Sequence, residues 1–112
     1  MRPTKLLVAS LLLLSSAAMA EGDAAKGKSI YTANCMACHG VKGDGNGPAA
    51  VALNPKPKSF ADAAFWEGRT DDALKTTIRA GKPGTAMAPF PQLNDQDVAN
   101  LTAYLRSFAP AQ

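Results

Sequence analysis

Apolar residues recur at helical spacing in two stretches of the chain, with polar residues between them. The clearest stripe lies near the C-terminus and consists of Val98, Leu101, Leu105 and Phe108. A shorter stripe, Leu74 and Ile78, lies within the stretch 70–80. Because residues three and four apart share one face of a helix, the pattern predicts amphipathic helices over 70–80 and 94–108. No stretch alternates apolar and polar residues as a half-buried strand would, so an all-α fold is predicted.

The residues at the ends of these stretches are typical of helix termini. Thr70 and Asn94, the first residues of the two stretches, are the predicted N-caps. Aspartates follow in the first turn of each, where the helix dipole favours negative charge. Gly81 is placed to end the first of the two helices. A third helix is predicted over 22–34, with Asp23 as its N-cap.

Gly27 and Tyr31 lie four residues apart in this third helix and therefore share a face. A glycine inside a helix costs about 1 kcal/mol relative to alanine. Close approach of another backbone or ring would compensate for that cost. We therefore predict that Gly27 marks a packing contact.

The first 20 residues have the composition of an export signal. Arg2 and Lys5 precede an apolar run over 6–14, and residues 18–20 form a small-x-small cleavage pattern. Even extended to Ala20, the run is shorter than the roughly 20 residues that span a bilayer. We predict cleavage after Ala20, which leaves residues 21–112 as one small domain in the periplasm.

Removing this leader changes the charge of the protein. The chain has 12 basic and 9 acidic residues, and Arg2 and Lys5 are among the basic ones. The mature chain is therefore nearly neutral. Its charge does not indicate a nucleic-acid partner.

The stretch from 40 to about 69 shows no helical pattern. It contains a glycine-rich run that ends at Pro48 and a second turn-rich run over 54–58. A loop of this length is unusual in a compact domain unless it is functional. A bound group that the loop wraps would account for it, with Phe60, Phe65 and Trp66 as apolar contacts.

The chemistry of the chain is concentrated in Cys35-Met36-Ala37-Cys38-His39. Two thiols separated by two residues and followed directly by a histidine are the attachment signature of a c-type haem. Each thiol can add across one vinyl group of the porphyrin, and His39 then supplies a neutral imidazole to the iron. The motif predicts one covalently attached haem c, with its iron, bound through Cys35, Cys38 and His39.

Two cysteines at this spacing also have other uses in proteins. A redox dithiol is typical of a β-α-β context, which the chain lacks. A closed structural zinc site needs four ligands, whereas the chain has 2 cysteines and 1 histidine. A simple disulfide of an exported protein stays open.

The second axial ligand follows from elimination. The chain has one histidine, so two histidines of this chain cannot bind the iron. Met1 and Met19 lie in the leader, and Met36 lies between the two thiols. Met87 remains as the predicted ligand, in a loop over 82–91 that prolines make rigid.

Two further residues are predicted near the haem. A rigid turn at Pro48 would aim its carbonyl at the free nitrogen of His39, a bond that fixes the tautomer of a metal-bound imidazole. If Trp66 is buried, its N–H needs a partner, and a haem propionate is a candidate.

Taken together, these features resemble class I cytochrome c, in particular the small monohaem bacterial carriers. The resemblance covers nearly all of residues 22–108. It rests on the Gly27/Tyr31 helix, the Cys35–Gly40 motif, the glycine-proline loop, Met87 with Pro89, and the final helix with Tyr104. Ala88 stands between Met87 and Pro89, which departs from some relatives in the geometry of this loop.

The resemblance implies a cytochrome c fold, with three main helices and long loops wrapped around one covalently attached haem. It implies that the first and last helices cross where Gly27 and Tyr31 meet Leu101 and Tyr104. It also implies the bond from His39 to the Pro48 carbonyl, and a partly exposed haem edge that carries the thioethers.

An iron bound by both His39 and Met87 has no open position for a substrate. The expected function is therefore transfer of single electrons between redox proteins by a monomer that is not an enzyme. Partners would dock at the exposed haem edge, with candidate steering charges at Lys42, Lys56, Lys58 and Lys82. Two alternatives stay open: a haem-bearing subunit of a periplasmic dehydrogenase, and a gas sensor whose Met87 ligand leaves the iron.

Overall fold

In the computed structural model, short and medium helices surround a cavity. The structure describes residues 22–111. The helices are α1 (Ala24–Asn34), α2 (Met36–His39), a 3₁₀ turn (Ala50–Ala52), α3 (Ala63–Trp66), α4 (Asp71–Ala80) and α5 (Asp95–Arg106). No strand occurs within residues 22–111, and the all-α prediction is confirmed. The predicted export leader, residues 1–20, and its cleavage site lie outside the described residues. Over the described range, the helices are too short or too polar to cross a membrane.

The three predicted N-caps are confirmed by their hydrogen bonds. In each case a side-chain oxygen accepts from backbone N–H groups of the first turn: Asp23 from Ala25 and Lys26, Thr70 from Ala73, and Asn94 from Asp97. The Asp97 carboxylate also accepts from the Asn94 N–H at 3.1 Å, which completes a capping box. Gly81 ends α4 with φ +74°, a conformation that favours glycine.

Helices α1 and α5 cross at Gly27, where their backbones come into contact. A Cβ built on Gly27 would lie 2.0 Å from the carbonyl oxygen of Asn100 and 2.9 Å from Cβ of Tyr104. One turn further on, the ring centroid of Tyr31 lies 5.2 Å from that of Tyr104. The packing contact expected at Gly27 is therefore confirmed. The crossing fixes the end of α1 from which the haem motif continues.

We expect Gly27→Ala to destabilise the protein although alanine is the better helix former. The gain in helix propensity is about 1 kcal/mol. The added methyl group would overlap a backbone carbonyl, which moves only if α5 moves, and overpacking of this kind costs typically 1–3 kcal/mol. A net loss in the free energy of unfolding is expected in denaturant titrations of the haem-loaded protein. Ser29→Ala, at an exposed position of α1, is the matched control. A Gly27→Ala variant at least as stable as the wild type would contradict this account of the crossing.

The stretch predicted as one long loop contains two short elements, the 3₁₀ turn and α3. Each has fewer than five residues, which is too short for a repeating apolar pattern to indicate it. Trp66 ends α3 and is buried, as is Phe60 just before it. Both belong to the same apolar cluster as Leu74 and Ile78 of α4.

Arg106 ties the end of α5 to the start of α4. Its Nε donates to the carboxylate of Asp71 at 2.6 Å, and its Nη2 donates to the carbonyl oxygen of Arg69 at 3.1 Å. The guanidinium carbon also lies 4.9 Å from the ring centroid of Trp66. The ion pair is partly exposed, so its contribution to stability is at most about 1 kcal/mol. Together, these contacts of Arg106 link α3, the start of α4 and the end of α5.

Candidate functional site

A cavity of about 330 Å³ brings together the four residues that sequence analysis singled out as thiols and ligands. Cys35, Cys38 and His39 line it from one part of the chain, and Met87 lines it from another. The volume lies within the range of ligand sites in proteins, roughly 300–1,000 Å³. The rest of the lining is largely apolar and includes Leu53, Phe60, Phe65, Leu74, Ile78, Phe90, Leu101 and Leu105. These side chains come from α3, α4, α5 and the loops between the helices.

The thiols and the imidazole share one face because the motif forms a single helical turn. Cys35 ends α1, its N–H donating to the Tyr31 carbonyl at 2.8 Å, and it also begins α2. Cys38 and His39 follow three and four residues later, which places them on the same side. Both thiols are half-buried and are not joined in a disulfide.

The ionisation of Cys35 is not that of a reactive thiol. Burial, together with a smaller contribution from the neighbouring Cys38, raises its pKa to about 11. Cysteines that act as redox nucleophiles have lowered pKa values. The neutral thiol at Cys35 therefore speaks against the redox-dithiol alternative.

The glycine-rich loop closes the open end of α2. The last four carbonyls of a helix lack partners within it, and in a one-turn helix that is all of them. Loop N–H groups donate to each: Gly40 to Met36 (2.9 Å), Gly45 to His39 (2.8 Å), Gly47 to Cys38 (3.0 Å) and Ala49 to Ala37 (2.9 Å). A Cβ on Gly47 would lie 2.3 Å from the Ala37 carbonyl oxygen, so only glycine allows this approach. Sequence analysis predicted the loop but not this role.

His39 is oriented by a carbonyl, but not by the one predicted. Its Nδ1 lies 3.1 Å from the carbonyl oxygen of Lys58, so the prediction for Pro48 is wrong. Gly47 and Ala49, which flank Pro48, donate their N–H groups to carbonyls of α2. These bonds direct this part of the loop along the end of the helix. Pro48 itself is exposed and does not line the cavity.

The Lys58 contact sets the tautomer of His39. Because the Lys58 oxygen can only accept, Nδ1 carries the proton and the lone pair stays on Nε2. Burial lowers the pKa of His39, and the Lys58 carbonyl opposes that effect. The imidazole is thus neutral at neutral pH, the form that binds metals.

Trp66 also differs from its prediction. Its Nε1–H donates to the carbonyl oxygen of Phe60 at 2.8 Å, within the buried core. The indole does not line the cavity. Since its one donor already has a partner, the prediction of a bond from Trp66 to a haem propionate is wrong.

Hydrogen bonds, in addition to the prolines, hold the Met87 loop in place. The Met87 N–H donates to Oγ1 of Thr85 at 3.1 Å, and the Met87 carbonyl accepts from the Lys82 N–H at 3.0 Å. Oγ1 of Thr85 in turn donates to the Lys82 carbonyl at 2.7 Å. Both backbone groups of Met87 are thus fixed, which directs its half-buried side chain to the cavity.

The charged residues that line the cavity, among those the structure describes, are all basic: Lys56, Lys58, Arg69 and Lys82. A haem has an apolar ring, two vinyl groups and two anionic propionates. The cavity offers apolar side chains, two thiols, an imidazole, a thioether and positive charge at its rim. The donor set and the lining therefore fit a c-type haem.

Comparisons with known proteins agree with this fit. A sequence profile of the cytochrome c family matches residues 24–109. Cytochrome c-554(547) of Halothiobacillus neapolitanus is 38% identical over 87 residues, which cover 75% of this chain and 94% of that protein. The solved structure of the KustC0563 c-type cytochrome superposes with a TM-score of 0.61 at 28% identity, over 75% of this chain and 98% of that one.

A longer relative also matches. The Cbb3-type cytochrome c oxidase subunit FixP of Rhizobium meliloti (strain 1021) is 29% identical over 82 residues. The match covers 73% of this chain and 26% of that subunit. The chain thus corresponds to about a quarter of the oxidase subunit.

Proposed function

This chain belongs to the cytochrome c family, whose cofactor is a covalently bound haem c containing iron, and we propose that it carries single electrons between redox proteins of the periplasm. The observation behind the proposal is that Cys35, Cys38, His39 and Met87 all line one cavity. The haem, when bound, supplies reversible one-electron chemistry at its iron.

Each residue of the chain has a separate part in this proposal. Cys35 and Cys38 would attach the porphyrin through thioethers, and Nε2 of His39 would bind the iron while the Lys58 carbonyl holds its Nδ1–H. Met87 would supply the second protein ligand, which would leave no coordination site for a substrate. The hydrogen bonds on both backbone groups of Met87 support a ligand loop that changes little between oxidation states.

The periplasmic location rests on the leader over residues 1–20. Export would place the chain in the same compartment as the redox proteins between which it is proposed to carry electrons. The exported protein is expected to begin at Glu21 and to work as a monomer.

A redox titration of the haem-loaded protein tests the proposal. We expect a reversible one-electron curve at a positive potential, because thioether ligation favours the ferrous state relative to two imidazoles. An irreversible titration, or consumption of a small substrate by the reduced protein, would contradict the role of carrier.

The basic rim of the cavity indicates the charge of the partner. The lysines at the rim are exposed, and the mature chain as a whole is nearly neutral. Clustered charge of one sign raises the rate of encounter with a partner of opposite sign and is screened by salt. We propose that donor and acceptor present acidic patches.

Lys82→Gln should slow electron exchange with an anionic partner. We expect the rate of oxidation by the hexacyanoferrate anion, followed by stopped flow at low salt, to fall a few-fold. The difference should vanish near 1 M salt, where the screening length is about 3 Å. Lys26→Gln, an exposed lysine of α1 that does not line the cavity, is the control and should keep the wild-type rate. Equal slowing in both variants would show that net charge, and not the rim, sets the rate.

A second candidate follows from the FixP match, in which a segment similar to this chain forms part of an oxidase subunit. In that case the chain would pass electrons within a larger assembly. Size-exclusion chromatography of the protein from its native source separates the two: a carrier elutes alone, and a subunit elutes with its complex.

A further inference from the structure

Phe60 covers one face of the His39 imidazole. The two ring centroids lie 4.5 Å apart, and the ring planes are within 19° of parallel. Two residues earlier, the Lys58 carbonyl oxygen lies 3.1 Å from His39 Nδ1, at the edge of the same ring. The segment Lys58–Phe60 therefore contacts His39 on both an edge and a face.

This segment is itself anchored at Phe60. The Phe60 N–H donates to the Gly43 carbonyl at 2.6 Å, and the Phe60 carbonyl accepts from Trp66 Nε1 at 2.8 Å. The Phe65 ring packs edge-on against Phe60 at 5.1 Å. Phe60 is 6% exposed, so neither its backbone nor its ring can move without disturbing the core.

An imidazole needs such restraints to keep one orientation. The χ2 torsion of histidine is broad, so the side chain alone does not select a ring plane. A hydrogen bond at Nδ1 fixes the position of the ring edge but leaves tilting about that bond free. A stacked ring restricts the tilt and keeps water from the imidazole face.

We infer that Phe60 is a positioning residue for the iron ligand His39, and that the Trp66 indole acts through it. This inference rests on the proposed ligation by His39. Through the anchored segment Lys58–Phe60, Trp66 keeps the Lys58 carbonyl on Nδ1 and the Phe60 ring on the imidazole face. The buried indole N–H thus acts on the redox centre without touching the cofactor.

Two variants of the haem-loaded protein test the inference. Phe60→Leu removes the stacked ring and keeps an apolar side chain, while Trp66→Phe removes the N–H and keeps a ring. The readout is the proton NMR spectrum of the oxidised protein, in which the spread of the haem methyl shifts reports the plane of the axial imidazole. We expect both variants to change this spread. Trp66→Phe should also raise the reduction potential, because a weaker Lys58 bond makes His39 a poorer donor to ferric iron.

Phe108→Leu is the matched control. The centroid of its ring lies 6.3 Å from that of Phe60, and Phe108 does not line the cavity. This variant loses core packing as Phe60→Leu does, but it should keep the wild-type methyl shifts. If Phe60→Leu does not fold, Trp66→Phe alone decides the question.

Two outcomes would overturn the inference: folded variants with the wild-type methyl shifts and potential, or a Phe108→Leu variant that changes as much as Phe60→Leu. Failure of the proposed ligation is a separate result. It would appear in the wild type, as His39 ring protons without a large shift on oxidation.

Discussion

We expect Met87→Ala to open the iron position that the proposal assigns to Met87, so that the ferrous protein binds carbon monoxide. The wild-type ferrous protein is expected to resist carbon monoxide because the thioether occupies that position. The variant should also have a lower reduction potential, since water or another weak ligand replaces a sulfur that favours the ferrous state. Visible spectroscopy under carbon monoxide and a redox titration measure the two effects.

Met36→Ala is the control for the loss of a methionine. Met36 lies between the two thiols, is half-buried and does not line the cavity. The Met36→Ala variant should keep carbon monoxide binding and the reduction potential near their wild-type values. Met87→His should lower the potential but keep both axial positions filled. Rapid, tight binding of carbon monoxide by the wild type would contradict the role of electron carrier and would indicate a gas sensor or an enzyme.

We expect that replacing both Cys35 and Cys38 by alanine will remove the proposed covalent attachment of the haem and leave little folded protein. The cavity of about 330 Å³ then depends on a haem held by its ligands alone. Without the haem, the apolar side chains that line this cavity lose their packing partner and become exposed to water. The total stability of a small domain is about 5–15 kcal/mol. The apoprotein is therefore expected to lose much of its helix content and its cooperative thermal transition.

Circular dichroism during heating, together with extraction into acidified organic solvent, measures this prediction. The haem of the double variant should leave with the solvent, whereas each single variant should keep one thioether and retain its haem. An apoprotein that melts as sharply as the haem-loaded protein would show that the haem is not part of the core.

The helices and their caps could be predicted because the signals are local. Asp23, Thr70 and Asn94 each bond to N–H groups two or three residues ahead, and residue type is enough to indicate that geometry. Gly27 was also informative, since a glycine that weakens a helix suggests a close neighbour. The position of that neighbour in α5 came from the resemblance to class I cytochrome c.

The partners of His39 and Trp66 could not be predicted for a physical reason. Both bond to backbone carbonyls, those of Lys58 and Phe60, and every residue carries such a carbonyl. Which carbonyl reaches the imidazole depends on the path of the loop. That path depends on backbone bonds such as that of the Phe60 N–H to the Gly43 carbonyl, which residue type does not indicate.

The contact between Phe60 and His39 also could not be predicted from the sequence. Its sequence neighbourhood indicated an apolar contact, and that is correct as far as it goes. The stacking on His39 joins residues far apart in the chain, and it became visible only when the loop was placed. The thiols, the histidine and the methionine could be selected beforehand because few side chains have their chemistry.

Iron K-edge X-ray absorption on the haem-loaded wild type reports the atoms bound to the iron and therefore tests the ligation by His39 and Met87. We expect the porphyrin and imidazole nitrogens together with a single sulfur, at nearly the same distance in the ferrous and ferric proteins. The Met87→Ala variant should lose the sulfur and keep the nitrogens. A wild-type spectrum without sulfur, or with sulfur in one oxidation state only, would contradict a fixed His39/Met87 site and the role of electron carrier built on it.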